Sequence, residues 1–323
     1  MKKLLKNNLF LLLIILMVVF SFAVPLPGLF IKKIGLLPLL TFIAMFISGL
    51  SLSLENVNKS LKNIKIILFS SFTAFVVFPA VAYILAGIFF SGTYDAFVGA
   101  IIISTQASTV TSAIVLTMAA CGNVPLAIVI TVVNNMISAF ISPVLLNFFL
   151  SMERTIEFDV AGMILNLVIV LILPIILAQL FKMFFKKLTR LIDPFRKKTA
   201  NLVVLMFVMI GASTAASEVA KNIGVLLLII LFSAVLHLII LIICYLYAKL
   251  VKAHAEDIPP LLFCSSEKTM TTSTMIWGTY FSSHLIAPLV IVAYHLIQIV
   301  MDSFIAGYMS RRITGMRDGI KKT

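Results

Sequence analysis

Two runs of polar residues interrupt segments that are otherwise apolar enough to lie in a membrane. The first run covers residues 105–112 and the second covers residues 265–274, and both are rich in serine and threonine. The interior of a bilayer cannot hydrogen-bond such groups, so each run must face protein, water or a bound solute. The runs lie about half a chain length apart. A matched pair of interrupted helices predicts a solute-binding site where the two meet.

The composition identifies an integral membrane protein. Apolar residues make up 62% of the 323 residues and charged residues only 11%, whereas a soluble domain averages about 25% charged residues. Runs of roughly twenty apolar residues predict an all-α protein with ten transmembrane helices. These spans are centred near Ile15, Ala44, Val76, Ile103, Met136, Val170, Phe207, Leu236, Met275 and Val292.

Basic residues predict the orientation of the chain. The long apolar run after Met1 favours a retained first helix over a cleaved signal peptide. With the N-terminus inside, all but five of the 25 lysines and arginines fall in cytoplasmic segments. The exceptions are Lys32, Lys33, Arg154, Lys221 and Lys268. We therefore expect both termini in the cytoplasm and the protein in the plasma (inner) membrane. The net charge of +13 is a topology and lipid-headgroup signal, not a nucleic-acid surface.

Ten spans divide into two groups of five, and an odd number of spans per repeat inverts the second copy. We predict a single membrane domain in which residues 1–181 hold the first half and span six. Residues 182–323 hold the basic linker and spans seven to ten. The polar runs then fall in the fourth span of each half. Helices four and nine are therefore predicted to be broken and to cross.

The polar runs have a plainer interpretation, in which serine and threonine hydroxyls bond back to their own helix. That interpretation suits isolated residues such as Ser48, but it does not account for Glu267 and Lys268. We take as candidates for solute or ion binding the polar residues of both runs and of spans five and ten. They are Ser108, Thr109, Thr111, Ser112, Thr131, Asn134, Asn135, Ser265, Ser266, Glu267, Lys268, Thr269 and Gln298.

Several stretches resemble the bile acid:sodium symporter superfamily. They are residues 45–52, residues 78–79, the stretch from Thr111 through residues 122–124 to Thr131, and residues 142–143. Residues 263–269 resemble the branch of that superfamily with a lysine in the ninth-helix motif. The resemblance implies a core of spans three to five and eight to ten beside a panel of spans one, two, six and seven. It also implies that helices four and nine unwind and cross near the membrane centre.

The resemblance further implies two sodium sites, which this sequence matches only in part. Thr131 matches the threonine of span five, and Ser112 lies within one position of the serine of span four. The following asparagine is replaced by Ala113 or Ile114. The glutamine of span three falls at Ala74, the glutamate of span nine at Cys264 and its glutamine at Lys268. Sodium is thus a candidate cofactor, with Thr131, Ser112 and Glu267 as its candidate ligands.

A cation near the bilayer centre costs at least about 2.5 kcal/mol, so Lys268 needs a partner or a role. Its ammonium replaces a bound cation, binds the anionic group of a solute, or pairs with Glu267. Direct pairing is disfavoured while the segment is helical, because adjacent residues do not face each other. Glu267 itself is a candidate cation ligand or proton carrier. Asp302 could line the same cavity as Gln298, but its place near the cytoplasmic end favours extension to the interface, and we expect His237 to be a hydrogen-bonded packing residue.

The sequence therefore predicts a secondary transporter of a small organic anion, a bile acid or another carboxylate, working by alternating access. A second hypothesis is an exporter of the related arsenite-carrier type, with Cys121 or Cys264 as its reactive thiol. A third is a membrane regulator that senses a ligand without transporting it. We expect no enzyme, because the chain has no nucleophile elbow, zinc-binding His-Glu-x-x-His pair or Walker loop.

Overall fold

The structure is a computed structural model that describes residues 2–52, 63–153, 159–221 and 223–320. Within these ranges the chain is helical and forms no strands. The first helices are α1 (Lys2–Ala23), α2 (Leu26–Lys33), α3 (Leu37–Ser51), α4 (Ile64–Phe89), α5 (Tyr94–Ser104), α6 (Val110–Ala119) and α7 (Val124–Glu153). They are followed by α8 (Val160–Phe184), α9 (Lys186–Lys221), α10 (Ile223–Leu250), α11 (Ile258–Ser266), α12 (Met270–Tyr280) and α13 (Ala287–Ile320).

Six of the described helices are long and apolar enough to cross a membrane: α4, α7, α8, α9, α10 and α13. A seventh span is obtained if α1 and α2 count together, although the chain bends by 91° between them. The all-helical class is confirmed, but the predicted count of ten spans is not. The difference arises because the remaining predicted spans are short or broken: α3 has 15 residues, and the segments near Ile103 and Met275 each divide into two helices.

Both polar runs contain a break between two helices. Residues 105–109 separate α5 from α6, and residues 267–269 separate α11 from α12. The backbone is extended at Thr109, Glu267 and Thr269, with ψ angles of 137°, 147° and 117°. An extended residue cannot continue the helical hydrogen-bond ladder, so each break leaves carbonyl and N–H groups that need other partners.

A π-helical turn widens α4 at Thr73–Val77, immediately before Pro79. In this turn the N–H of Phe78 bonds to the carbonyl of Thr73. The next N–H along the chain would belong to Pro79, which has none. The carbonyl of Ala74 is therefore left without a donor from its own helix. Helix α8 repeats the arrangement, with a π-helical turn at Val168–Ile172 before Pro174.

Two groups of helices surround the breaks. Helix α9 packs against α1, α2 and α3, and α3 also packs against α8. Side chains of α8 and α9 cap the C-terminal carbonyls of α3. Gln179 donates to Gly49 at 2.6 Å, Lys182 to Leu52 at 2.8 Å and Arg196 to Leu50 at 2.7 Å. In the second group, α13 packs against α5 and α10, α10 against α11, and α6 against α7 and α11.

The outer surface of the helices is apolar. Large exposed side chains include Leu16 on α1, Ile88 on α4, Leu165 on α8 and Leu246 on α10. A soluble monomer rarely exposes so much apolar surface, whereas helices in contact with lipid do so along their length. The polar side chains of the breaks lie on the inside of this apolar shell, where most are buried.

Candidate functional site

The two helix breaks are in direct contact. The N–H of Thr269 donates to the carbonyl of Ala107 at 3.0 Å, which joins the second break to the first. Helix α7 supports the first break through two side chains. Ser142 Oγ donates to the carbonyl of Thr105 at 2.6 Å, and Asn135 Nδ2 donates to the carbonyl of Ser108 at 3.2 Å. Backbone groups released by the broken ladders thus bind each other and polar side chains of a long helix.

Lys268 is fully buried, and its ammonium group binds main-chain oxygens. Nζ donates to the carbonyls of Ala74 and Gln106, each at 2.7 Å. The first carbonyl is the one that Pro79 leaves without a donor, and the second lies in the break after α5. Nζ also lies 4.3 Å from the ring centroid of Phe78, within the range of a cation–π interaction. Both oxygens are available because local backbone geometry denies them a helical partner.

The main chain of Lys268 is held by Gln298 on α13. The N–H of Lys268 donates to Gln298 Oε1 at 2.8 Å, and Gln298 Nε2 donates to the carbonyl of Lys268 at 3.0 Å. The same Nε2 also contacts His295 Nδ1 at 3.0 Å. A primary amide suits this position, since it supplies one donor and one acceptor in the geometry of a peptide group.

Glu267 points away from Lys268 and towards α6, the second helix of the other break. Its Oε2 accepts hydrogen bonds from Thr109 Oγ1 and from Ser112 Oγ, the latter at 2.5 Å. Both hydroxyls belong to the N-terminal turn of α6, where the helix dipole favours a carboxylate. Glu267 Oε1 is buried and has no hydrogen-bond partner among the described residues. Glu267 and Lys268 form no ion pair with each other in the described structure, as their adjacent positions indicated.

The structure brings together some of the predicted site residues and not others. Those with contacts at the two breaks are Thr109, Ser112, Asn135, Glu267, Lys268, Thr269 and Gln298. Ser108 and Ser266 lie in or beside the breaks, with buried hydroxyls that have no partner among the described residues. The others have different surroundings. Thr111 is exposed, Asn134 accepts from Ser71 at 2.7 Å, and Ser265 donates to Ser70 at 2.8 Å.

The three candidate sodium ligands are not arranged alike. Ser112 and Glu267 are hydrogen-bonded to each other. The hydroxyl of Thr131 instead donates to the carbonyls of Ala127 at 2.9 Å and Ile128 at 3.0 Å in its own helix. No group of three or more His, Cys, Asp or Glu side chains suited to a metal ion occurs in the described ranges. That finding concerns clusters of those four residue types and not a site built from hydroxyls and carbonyls.

The three cysteines have different neighbours. Cys264 is fully buried beside the second break and donates to the carbonyl of Ala127 at 3.7 Å. Cys121 lies in the turn after α6, 3.4 Å from Ser310 Oγ. Cys244 is buried in α10. All three are free thiols.

Asp302, His237 and Tyr294 form a hydrogen-bonded chain beside the site that the sequence did not predict. Asp302 Oδ1 contacts His237 Nε2 at 3.0 Å, and His237 Nδ1 contacts the Tyr294 hydroxyl at 3.0 Å. That hydroxyl donates to the carbonyl of Ser266 at 2.7 Å. The prediction that Asp302 extends to the membrane interface is therefore wrong, because its side chain is fully buried and bound to His237. His237 is hydrogen-bonded on both nitrogens, as expected. The sequence did contain one indication of this chain, the charged residue Asp302 within the long apolar span of α13.

Four buried polar atoms near the second break have no partner among the described residues: Glu267 Oε1, Ser266 Oγ, Thr272 Oγ1 and Thr274 Oγ1. The two threonines lie in the first turns of α12, where helix N–H groups point towards the break. Buried polar groups are usually hydrogen-bonded, and each exception needs a reason such as a bound solute or ion. These atoms are therefore candidates for contact with a bound solute or ion.

The sequence model of the SBF-like CPA transporter family matches residues 8–311, which is nearly the whole chain. No curated protein matches the chain.

Proposed function

Because the chain belongs to the SBF-like CPA transporter family, which is part of the bile acid:sodium symporter superfamily, we propose that it is a secondary transporter of a small organic anion. Membership makes the protein a membrane transporter and not an enzyme. The mechanism that we propose is alternating access around the contact between the two helix breaks. The hydrogen bond from Thr269 N to Ala107 O is the observation that carries this proposal.

The order of the helices supports an inverted repeat of ten spans. A long helix, a broken pair and a second long helix occur twice, as α4, α5–α6 and α7, and again as α10, α11–α12 and α13. Five crossings, those of α4, α5–α6, α7, α8 and α9, lie between the start of α4 and the start of α10, so the second set runs in the opposite direction. The total is ten if α1–α2 and α3 each cross once. In this arrangement both termini lie in the cytoplasm, and α1–α3, α8 and α9 form the panel beside the core.

We propose that Lys268 replaces one bound cation. Its ammonium has two backbone carbonyls and the rings of Phe75 and Phe78 as neighbours, and no carboxylate of the described residues pairs with it. Carbonyls at broken helices are the ligands that transporters of this type use for coupling ions. The position at which the superfamily glutamine is missing is Ala74, whose backbone oxygen binds Nζ. A fixed positive charge in this place makes the occupancy of one sodium site independent of the sodium concentration.

We place the anionic solute on the other side of the crossing, at the N-terminal end of α12. The positive end of the helix dipole favours an anion there. The unpartnered hydroxyl of Thr272, in the first turn of α12, is a donor that a carboxylate accepts. Bile-acid-like and other carboxylates are therefore the solutes to test first. Ser112 and Glu267 remain candidate sodium ligands, and Thr131 would have to release the carbonyls in its own helix to join them.

The first experiment is a thermal-stability screen of the purified protein with a panel of carboxylates, each with and without sodium. A stabilising compound is then tested for uptake into proteoliposomes. We expect saturable flux of that compound. We also expect the compound to stabilise the protein equally with and without sodium. Thr272→Val should weaken that stabilisation, whereas Thr214→Val should not. Thr214 is a buried threonine whose hydroxyl already bonds to the carbonyl of Ile210, so it controls for the loss of a hydroxyl as such.

Three outcomes would contradict the proposal. Binding without flux at any membrane potential or gradient would favour a ligand-sensing regulator. Stabilisation that still needs sodium when Ser112 is replaced by alanine would show that Lys268 does not replace the coupling cation. An effect of Thr214→Val equal to that of Thr272→Val would remove the assignment of the solute to α12.

A further inference from the structure

A continuous hydrogen-bonded chain connects α13 and α10 to the second helix break. It runs from Asp302 to His237, then to Tyr294 and finally to the carbonyl of Ser266, over contacts of 3.0, 3.0 and 2.7 Å. The three side chains are fully buried. Asp302 Oδ2 has no partner among the described residues. Two ionisable residues thus face each other inside the apolar shell, in a place that the proposed solute and sodium sites do not use.

The direction of each hydrogen bond follows from the groups involved. A backbone carbonyl only accepts, so the single hydrogen of the Tyr294 hydroxyl is directed to Ser266 O. The tyrosine oxygen must then accept from His237, which fixes a hydrogen on Nδ1. His237 Nε2 and Asp302 Oδ1 lie 3.0 Å apart, and two lone pairs would repel each other at that distance. A further proton must therefore lie between them, on the imidazole or on the carboxyl group.

We propose that His237 and Asp302 form a proton-binding site and that Tyr294 couples its occupancy to the break between α11 and α12. In the arrangement described, the pair holds one proton more than a neutral imidazole beside a carboxylate. Burial favours this form, since the pair is then neutral overall or a compact ion pair, whereas a lone buried carboxylate is costly. The proton is the ligand, and its use as a coupling ion rests on the proposed transport function.

Loss of the proton forces a definite rearrangement. Once the shared proton leaves, the remaining hydrogen of His237 is best placed on Nε2, where it bonds to the charged carboxylate of Asp302. Nδ1 then becomes an acceptor, and the Tyr294 hydroxyl must turn its only hydrogen towards it. The carbonyl of Ser266 loses that donor at the same moment. The net change is the release of one proton from the His237–Asp302 pair. The C-terminal end of α11 loses the hydrogen bond from Tyr294 and is thereby loosened.

Other ionisable groups share this region. Glu267 and Cys264 on and after α11 interact electrostatically with Asp302. The others on neighbouring elements are Lys268 in the break, His295 on α13, and Cys244 on α10. Asp95 on α5 and Glu218 on α9 lie near helix ends and have their own partners, His284 and Lys221. The ammonium of Lys268 is directed to α4 and not to the pair.

The test measures the tautomer of His237 in the purified full-length protein, with ¹⁵N-labelled histidine in lipid nanodiscs and no added solute. The signal is assigned by its loss in His237→Gln. At low pH we expect a hydrogen on Nδ1, and on raising the pH a change to the form with hydrogen on Nε2 alone. Asp302→Asn should abolish the change, because the asparagine amide donates to Nε2 permanently and keeps the hydrogen on Nδ1.

Hydrogen exchange of residues 263–270 gives the second readout. In the wild type we expect exchange relative to a reference segment in α7 to rise across the same pH range in which His237 changes. Asp302→Asn should stay slow and Tyr294→Phe fast throughout, because the first keeps the Ser266 bond and the second removes its donor. Asp95→Asn, which breaks the partly exposed pair with His284, should leave both readouts unchanged and is the matched control.

Three results would overturn the proposal: hydrogen on Nε2 alone at low pH, a pH response that survives in Asp302→Asn, or exchange in Tyr294→Phe that still follows the wild-type curve. If Asp302→Asn does not fold, the wild-type tautomer and Tyr294→Phe still decide the matter. Neither readout involves a solute. A failed flux assay would therefore leave the proton site standing, and a failed proton site would leave the transport proposal to its own test.

Discussion

Replacing Lys268 by alanine should turn a protein with an internal cation into one that binds cations from solution. The substitution removes the ammonium from between the carbonyls of Ala74 and Gln106 and leaves a polar cavity of about the size of the lost side chain. Each hydrogen bond from a charged donor contributes about 1.5–3 kcal/mol, and each buried carbonyl left unpaired costs about 1–3 kcal/mol. Removing the ammonium also removes the free-energy cost of burying its charge, which offsets part of this loss. We expect a net destabilisation of a few kcal/mol.

The second part of the prediction is rescue. A cation that binds only the folded variant stabilises it by RT ln(1 + [L]/Kd), which is about 1.4 kcal/mol at ten times Kd. Ammonium and methylammonium restore the lost group most closely, and sodium tests whether the carbonyls form a sodium site. The thermal stability of Lys268→Ala should rise with each effective cation at constant ionic strength, with choline as the inert salt. The wild type should show no such dependence.

Lys32 provides a matched control. Its ammonium also contacts a carbonyl, that of Ser282 at 3.4 Å, and lies 4.4 Å from the ring centroid of Trp277. That site is near the end of α2 and partly exposed, so water replaces the ammonium in Lys32→Ala. We expect no cation-dependent stabilisation there. A flat cation profile for Lys268→Ala, or a rise in Lys32→Ala or the wild type as large as that in Lys268→Ala, would refute the interpretation of Lys268 as a substitute for a bound cation.

Two further substitutions test the backbone features on which the site depends. Pro79→Ala supplies an N–H that can bond to Ala74 O, so we expect thermal stability to rise while the solute flux falls; a rise in both would show that this carbonyl need not be free. Gly99→Ala adds a Cβ that would lie 2.5 Å from Ala287 O and 2.7 Å from Ala287 Cα, which should cost about 1–3 kcal/mol of folding stability. Gly87→Ala is the control, because nothing lies within 4 Å of the added Cβ, and it should gain up to about 1 kcal/mol of folding stability. Equal effects of Gly99→Ala and Gly87→Ala in a thermal unfolding assay would contradict the close α5–α13 contact.

The sequence was most informative where an atom's chemistry is visible in the residue type. Serine and threonine runs inside apolar segments located both breaks, because hydroxyls are conspicuous in a membrane helix. The same reasoning selected Glu267 and Lys268 and indicated that they would not pair. Gln298 was selected as a polar residue of a long span, although its bonds to the main chain of Lys268 could not be foreseen.

The sequence was least informative about backbone partners and about helix length. The ammonium of Lys268 binds two carbonyls, and every residue has a carbonyl, so no residue type marks Ala74 as a ligand. Only the π-helical turn before Pro79 makes that oxygen available. The expected count of ten spans rested on apolar composition, which reveals neither the 91° bend between α1 and α2 nor the short length of α3.

Membrane location, helical structure and the polar interruption of two segments all follow from the order of residues along this chain. The reason is that the apolar interior of a bilayer accepts apolar side chains and penalises polar ones. The contacts between distant groups instead depend on the packing of the helices. Ala74 and Lys268 are 194 residues apart, and His237 and Asp302 are 65 apart. Such contacts depend on how α4, α10 and α13 pack around the breaks, since packing and not sequence distance brings a buried charge to the atoms that stabilise it.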